Sequence, residues 1–134
     1  MANLTKEKIV LDDGALLAYL KGDDKAGIVT NFLKQAEKGK VRVFMDNISL
    51  GLVLKEIHQK KYSIDGALEI IQQLPIEFCD ITQEIITRAI PLTIDYSLTC
   101  EEAVALSLAK EKTAKLVTNN EKFRAVEHET PIFW

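Results

Sequence analysis

Near its start the chain reads Lys8-Ile-Val-Leu-Asp-Asp-Gly-Ala-Leu-Leu-Ala-Tyr-Leu20, and this stretch decides the fold. An apolar run rich in β-branched residues leads into two aspartates and a glycine, after which the apolar residues recur at helical spacing. The pattern predicts a buried strand with Asp12 at its carboxyl end, followed directly by a helix. Ligands of open α/β sheets bind at that end of the strands. Asp12 is therefore either a metal ligand or the N-cap of the helix, since a capping aspartate accepts a hydrogen bond from a free amide.

The same alternation of apolar strand and amphipathic helix continues through the chain. Strands are predicted at roughly 8–12, 41–45, 76–79, 114–118 and 131–133, with helices between them. This order specifies an α/β fold, a three-layer α/β/α sandwich around a central, mainly parallel sheet. Residues 1–134 are expected to form a single domain. Pro91 falls inside a predicted helix, which it should kink or stop.

Composition excludes several classes of function. The net charge of −3 gives no broad attraction for nucleic acid, so contact with RNA or DNA would depend on a local basic patch. No glycine-rich phosphate loop and no Ser/His/Asp or Cys/His motif is found. The first residues lack the pattern of a signal peptide, and no apolar run approaches the roughly 20 residues that span a bilayer. We expect a cytoplasmic protein without contact to a membrane.

One leucine of the predicted third helix, at about 48–60, is out of place. At about 100° per residue, Leu52 lies opposite the apolar stripe and among polar residues. The apolar stripe that should face the core contains Leu50, Val53, Leu54 and Ile57. Leu52 is either a scattered surface leucine, which is common, or part of a groove or an interface.

Three short motifs, in this order, carry a family resemblance: Leu11-Asp-Asp-Gly-Ala-Leu-Leu-Ala18, Leu98-Thr-Cys-Glu-Glu-Ala103 and Leu116-Val-Thr-Asn-Asn120. The chain resembles the PIN domain, and in particular the single-domain, VapC-like toxins of prokaryotic toxin–antitoxin pairs. The resemblance implies a PIN-like fold and hydrolysis of RNA with a magnesium or manganese ion. Such an ion needs oxygen ligands from several chain segments and lowers the pKa of a bound water.

The resemblance also shows an incomplete set of acids. Asp12 matches the first acid of the family, and Glu102 stands where an aspartate is usual. Leu52 stands where a glutamate is expected and Asn120 where an aspartate is expected, so two carboxylates remain of four. The loss of about two negative charges should weaken metal binding. Asp46 follows the second strand and is either a substitute ligand or, with Asn47, the cap of the third helix.

Helix capping offers a purely structural role for two of these segments. Thr99-x-x-Glu102 and Thr118-x-x-Glu121 both fit the capping-box pattern, in which the glutamate bonds back to the amide of the N-cap. Either box would occur in a protein without catalysis.

These observations support three hypotheses. The first is a PIN-like protein of ribonuclease ancestry with a degenerate acidic site and weak or absent nuclease activity, which acts through binding and needs no cofactor. The second is an active, Mg- or Mn-dependent ribonuclease with Asp12, Glu102 and Asn120 as catalytic residues and Asp12, Glu102 and Asp46 as metal ligands. The third is an interaction module that uses its apolar C-terminus. The partners implied by the resemblance are RNA, a small antitoxin-like protein and a second copy of the chain.

Overall fold

The computed structural model describes residues 6–24 and 26–134. Strands and helices alternate as predicted, with ends close to the expected positions. In chain order they are β1 (Glu7–Leu11), α1 (Asp13–Lys21), α2 (Ala26–Glu37), β2 (Val41–Asp46), α3 (Asn47–Gln59), α4 (Ile64–Gln72), β3 (Glu77–Cys79), α5 (Gln83–Asp95), α6 (Cys100–Lys112), β4 (Lys115–Val117), a 3₁₀ helix (Glu121–Val126) and β5 (Ile132–Phe133).

The five strands form one parallel sheet in the order β3-β2-β1-β4-β5. β1 lies in the centre, where Val10 is opposite Phe44 of β2 and Leu116 of β4. All carboxyl ends therefore point to one edge of the sheet. The predicted α/β class and parallel sheet are confirmed.

Side chains that alternate along the strands build two separate cores. Val10, Phe44 and Leu116 face α5, α6 and the 3₁₀ helix. Ile9, Leu11 and their neighbours on β2 face α1, α2, α3 and α4 on the other side of the sheet. Since both faces are covered, the strands are apolar throughout rather than alternating, as is usual for parallel sheets.

Pro91 does not end α5, which continues to Asp95. A proline inside a helix removes one hydrogen bond and costs about 3 kcal/mol. Here the helix is held by tertiary packing, because Ile85, Ala89 and Leu92 are buried in the core. The Ser107 hydroxyl of α6 also donates to the Ile85 carbonyl oxygen at 3.0 Å. Packing against α6 therefore outweighs the local penalty.

None of the helices formed by residues 6–24 and 26–134 has both the length and the apolar character needed to cross a bilayer.

Candidate functional site

A cavity of about 250 Å³ opens at the carboxyl edge of the sheet. It brings together the start of α1, the first turns of α3 and α6, and the segment after β4. The lining residues are Asp12, Asp13, Ser49, Leu52, Thr99, Glu101, Glu102, Ala105, Asn120 and Phe123. Asp12, Leu52, Glu102 and Asn120 thus surround one hollow, although they are far apart in the sequence.

Asp12 is buried at the floor of this hollow and is the N-cap of α1. Its Oδ1 accepts a hydrogen bond from the Ala15 amide at 2.9 Å, and its Oδ2 accepts one from the Thr118 hydroxyl. Burial raises the pKa of Asp12 from its ordinary value of 3.8 to about 6, against the lowering effect of these two hydrogen bonds. Both carboxylate oxygens are therefore already engaged within the protein.

Thr118 links this aspartate to the segment after β4. Its hydroxyl donates to Asp12 and accepts from the Asn120 amide at 3.0 Å. The capping box predicted for Thr118 and Glu121 is wrong, because Thr118 is used by Asp12 and the 3₁₀ helix is instead capped by Asn120.

Glu102 lies in the first turn of α6 and completes the predicted capping box. Its Oε1 accepts from the Thr99 amide at 2.8 Å, while the Thr99 hydroxyl accepts from the Glu102 amide at 3.2 Å. The same carboxylate receives the Lys122 ammonium on Oε1 at 2.7 Å and the Asn120 side-chain amide on Oε2 at 2.6 Å. Partial burial alone would raise the pKa of Glu102, but these hydrogen bonds, that of Lys122 above all, hold it below its ordinary value.

Both ends of the Asn120 side-chain amide are hydrogen-bonded within the protein. Its Nδ2 donates to Glu102, and its Oδ1 accepts from the Lys122 backbone amide at 3.0 Å. The orientation of the side-chain amide follows from these two partners, since one is an acceptor and the other a donor.

Asp46 is buried behind the hollow and is not among the residues that line it. It is the N-cap of α3: Oδ1 accepts from the Ser49 amide at 2.7 Å and Oδ2 from the Ser49 hydroxyl at 2.9 Å. Burial raises the pKa of Asp46 despite these bonds. The geometry is that of the helix cap, the structural alternative given for this residue.

Leu52 lines the hollow, which explains why an apolar residue stands on the polar side of α3. Asp13 and Glu101 line it as well. They adjoin the matched acids Asp12 and Glu102 in the sequence, and they reach the hollow because residues in the first turn of a helix lie near the mouth of a site built on helix starts.

The oxygens that Asp12, Glu102 and Asn120 present to this hollow do not fit a divalent ion in their present hydrogen bonding. Within residues 6–24 and 26–134, no three His, Cys, Asp or Glu side chains are grouped so as to hold a metal. The oxygens of Asp12, Glu102 and Asn120 accept hydrogen bonds from protein N–H and O–H groups, and Lys122 already supplies a positive charge. Magnesium demands near-octahedral oxygen coordination and so requires oxygens that are free to turn toward it.

Lys122 is the functional residue that sequence reasoning missed. It follows Asn120 by two residues, and the Asn120 side chain caps its backbone. An asparagine side chain that accepts from the backbone amide two residues later is a recognisable local capping pattern. The direction of the lysine side chain, in contrast, depends on α6, which the local sequence does not specify.

The family model described as the PIN domain matches residues 9–129. VapBC2 from Rickettsia felis, solved bound to a DNA fragment from their promoter, is similar with a TM-score of 0.74 and 18% identity, over 95% of this chain and 98% of that one. A toxin–antitoxin complex from Klebsiella pneumoniae gives a TM-score of 0.69 at 18% identity, over 94% and 96%. VapC20 of Mycobacterium tuberculosis, a Sarcin-Ricin loop cleaving toxin, gives 0.67 at 15%, over 88% and 94%.

No curated protein sequence matches the chain. At 15 to 18% identity the solved structures show a shared fold alone. The family model, in contrast, covers β2, β3, β4 and all but the first two residues of β1, and it ends before β5. The resemblance seen in the three sequence motifs is confirmed: the chain belongs to the PIN domain family.

Proposed function

We propose that this is a PIN domain protein of ribonuclease ancestry with weak or absent nuclease activity, which acts through binding. One observation carries the proposal: Leu52, Glu102 and Asn120 meet Asp12 in a single hollow, and every carboxylate oxygen of Asp12 and Glu102 accepts a hydrogen bond from a protein donor. Leu52 offers no lone pair to a metal. The Asn120 Nδ2 that faces Glu102 is a hydrogen-bond donor and has none to offer either. RNA is the class of nucleic acid that this ancestry supports as a ligand.

The test combines metal binding with RNA cleavage. Manganese is titrated into the purified chain by calorimetry, and a mixture of ribosomal and transfer RNA is incubated with the same protein and metal. The Asp12→Asn variant is the control, because it removes the charge and keeps the size. We expect no binding at millimolar manganese and no cleavage beyond that of the variant. Manganese-dependent cleavage that disappears in Asp12→Asn would contradict the proposal and favour the active enzyme with magnesium or manganese as cofactor.

An apolar groove on another face supports a protein partner. It has a volume of about 640 Å³ and lies between α1, α3 and α4. Leu17, Leu20, Ile57 and Ile70 line it, and Tyr62 at its edge is 70% exposed. Several structural relatives are toxin–antitoxin complexes, so we propose that the groove holds the apolar face of a helix from a small antitoxin-like protein.

Co-expression tests this partner. The small protein encoded by the gene adjacent to the gene of this chain is co-expressed with the wild type and with the variant Ile70→Glu. The variant places a charge in the groove. A complex that forms with the wild type and fails with the variant supports the groove. A complex that forms equally with both contradicts it.

A second copy of the chain is the other proposed partner, and α5 is the surface that supports it. Ile86, Ile90 and Ile94 are spaced four residues apart on one side of the helix and are 42%, 48% and 77% exposed. Thr87 and Thr93 flank them, and their hydroxyls donate to carbonyl oxygens of the same helix. This side of α5 is neutral, so two chains that each carry a net charge of −3 meet there with little repulsion. Ridges of residues four apart also pack well against each other between helices.

A further inference from the structure

We infer that Lys122, which is not itself among the residues that line the hollow, takes the place of the family's divalent metal as the cation bound by Glu102 at its rim, with Asn120 positioning both partners. The inference deepens the proposed function, on which it rests. In this arrangement the Lys122 ammonium neutralises the Glu102 carboxylate without a metal ion, and it opposes the binding of one there.

The first step is the geometry of Glu102. Its two oxygens accept three hydrogen bonds, from the Thr99 amide, the Lys122 ammonium and the Asn120 amide, at 2.8, 2.7 and 2.6 Å. The Glu102 side chain is 19% exposed, whereas the Lys122 side chain is 45% exposed. The carboxylate is therefore shielded from water and neutralised by the protein, so it has little remaining attraction for an ion from solution.

The second step is the double role of Asn120. Its Oδ1 fixes the Lys122 backbone, and its Nδ2 holds the carboxylate to which the Lys122 side chain binds. One side chain thus positions both members of the ion pair. The ion pair of Lys122 and Glu102 is therefore held more firmly than an exposed salt bridge normally is. In exposed pairs, the loss of side-chain entropy offsets much of the electrostatic attraction.

The charge at position 120 decides whether the hollow needs a further cation beside Glu102. An ionised aspartate at position 120 would place two carboxylates within hydrogen-bonding distance, and like charges that close need a cation between them. With asparagine, the same contact is a hydrogen bond at 2.6 Å, and the single charge of Glu102 is matched by the single charge of Lys122. The asparagine and the lysine are therefore mutually consistent, and together they leave no unmatched charge on Glu102 itself for a divalent ion to bind.

The experiment removes the ammonium and keeps its aliphatic stem. Manganese alone is titrated into the wild type and Lys122→Met by calorimetry, and the melting temperature of each is recorded with manganese and with chelator. We expect Lys122→Met to bind manganese at least about tenfold tighter, because a unit charge a few ångströms away repels a divalent ion by an amount of this order. Manganese should raise the melting temperature of the variant and leave that of the wild type unchanged.

Lys110→Met is the matched control. Lys110 is 42% exposed and pairs with Glu129, whose side chain is 20% exposed, so the pair is as shielded as that of Lys122 and Glu102. Glu129, unlike Glu102, does not line the hollow. This control should lose an ion pair without gaining a response to manganese.

A second variant, Lys122→Arg, keeps the charge and should behave like the wild type, which guards against a folding defect in Lys122→Met. Equal manganese affinity of wild type and Lys122→Met, or an equal gain in Lys110→Met, would overturn the inference. Its failure is separate from that of the proposed function, which is decided by RNA cleavage in the wild type and not by the effect of Lys122.

Discussion

At the scale of single residues, Asp12 carries the largest electrostatic cost of the site. The buried carboxyl keeps its proton up to pH about 6, whereas in the unfolded chain it loses it near 3.8. Between these values the folded state binds more protons than the unfolded state, so the free energy of unfolding falls as the pH rises. One pKa unit corresponds to about 1.4 kcal/mol, so the full effect is roughly 3 kcal/mol.

The Asp12→Asn variant should remove this titration. Asparagine can still accept from the Ala15 amide, and its side chain carries no charge at any pH. We expect the stability of the variant relative to wild type to increase by roughly 2 to 3 kcal/mol between pH 4 and pH 7. Urea unfolding at several pH values, in the presence of chelator, measures it. Asp95→Asn changes an exposed carboxylate and serves as the control; equal slopes for both variants would show that Asp12 is not the group responsible.

Leu52 and Asn120 stand at the two positions where the resemblance to the family implies acids. Leu52→Glu together with Asn120→Asp adds two carboxylates to the hollow and breaks the bond from Asn120 to Glu102. We expect the double variant to bind manganese where the wild type does not, because a hard cation is held by clustered oxygens. Calorimetric titration detects the gain.

Ile48→Glu with Asn120→Asp is the matched control for this variant. Ile48 lies on the same helix, is 44% exposed and does not line the hollow. A gain in manganese binding that is equal in the two double variants would show that position 52 has no special relation to the site.

For single residues, the sequence predicted which side chains meet in the hollow but not which hydrogen bonds they form. Asp12, Leu52, Glu102 and Asn120 could be placed because strand ends and helix starts set their location. The use of their oxygens could not be predicted, because Asp12 and Thr118 are 106 residues apart and Glu102 is joined to Lys122 across two elements.

At the scale of elements, the site consists of helix starts. Asp12, Asp46 and Thr99 are the N-caps of α1, α3 and α6, and Asn120 caps the 3₁₀ helix. Capping side chains satisfy amides that the helix itself leaves free. Three of these caps, Asp12, Thr99 and Asn120, line the hollow and therefore also contribute to the stability of the helices.

Thr99→Ala tests this second role. It removes the hydroxyl that accepts from the Glu102 amide, and loss of such a cap costs about 1 kcal/mol. Ser63→Ala at the start of α4 is the comparison, because Ser63 caps a helix outside the site with one hydrogen bond. Urea unfolding should show a loss at least as large for Thr99→Ala, since the reciprocal bond of Glu102 is disturbed as well. A smaller loss than for Ser63→Ala would contradict a stabilising role of the box.

Most elements were predictable because the apolar period changes clearly between strand and helix. The cap of the 3₁₀ helix and the continuation of α5 past Pro91 were not, because each depends on contacts with a distant element: Thr118 with Asp12, and α5 with α6.

At the scale of the whole molecule, the neutral side of α5 predicts a dimer. Ile90→Lys places a charge at the centre of this side and should turn a dimer into a monomer, because an unpaired charge is costly in an apolar interface. Sedimentation velocity at several concentrations measures the change.

Ile70→Lys is the control for the dimer, since Ile70 is 56% exposed but lies in the groove of α4. We expect this variant to remain a dimer. A wild type that is monomeric at high micromolar concentration, or a dimer broken only by Ile70→Lys, would exclude α5 as the interface.

The strand order also has a consequence for the synthesis of the chain. β1 is made before the other four strands but lies in the middle of the sheet, between β2 and β4. Its second neighbour is made only after residue 114, so one edge of β1 has no partner until then. Pairing across such a long separation is slow compared with local contacts. The nascent protein therefore exposes an apolar strand edge until β4 emerges, and the hollow that contains Asp12 can close only after Asn120 and the 3₁₀ helix have followed it.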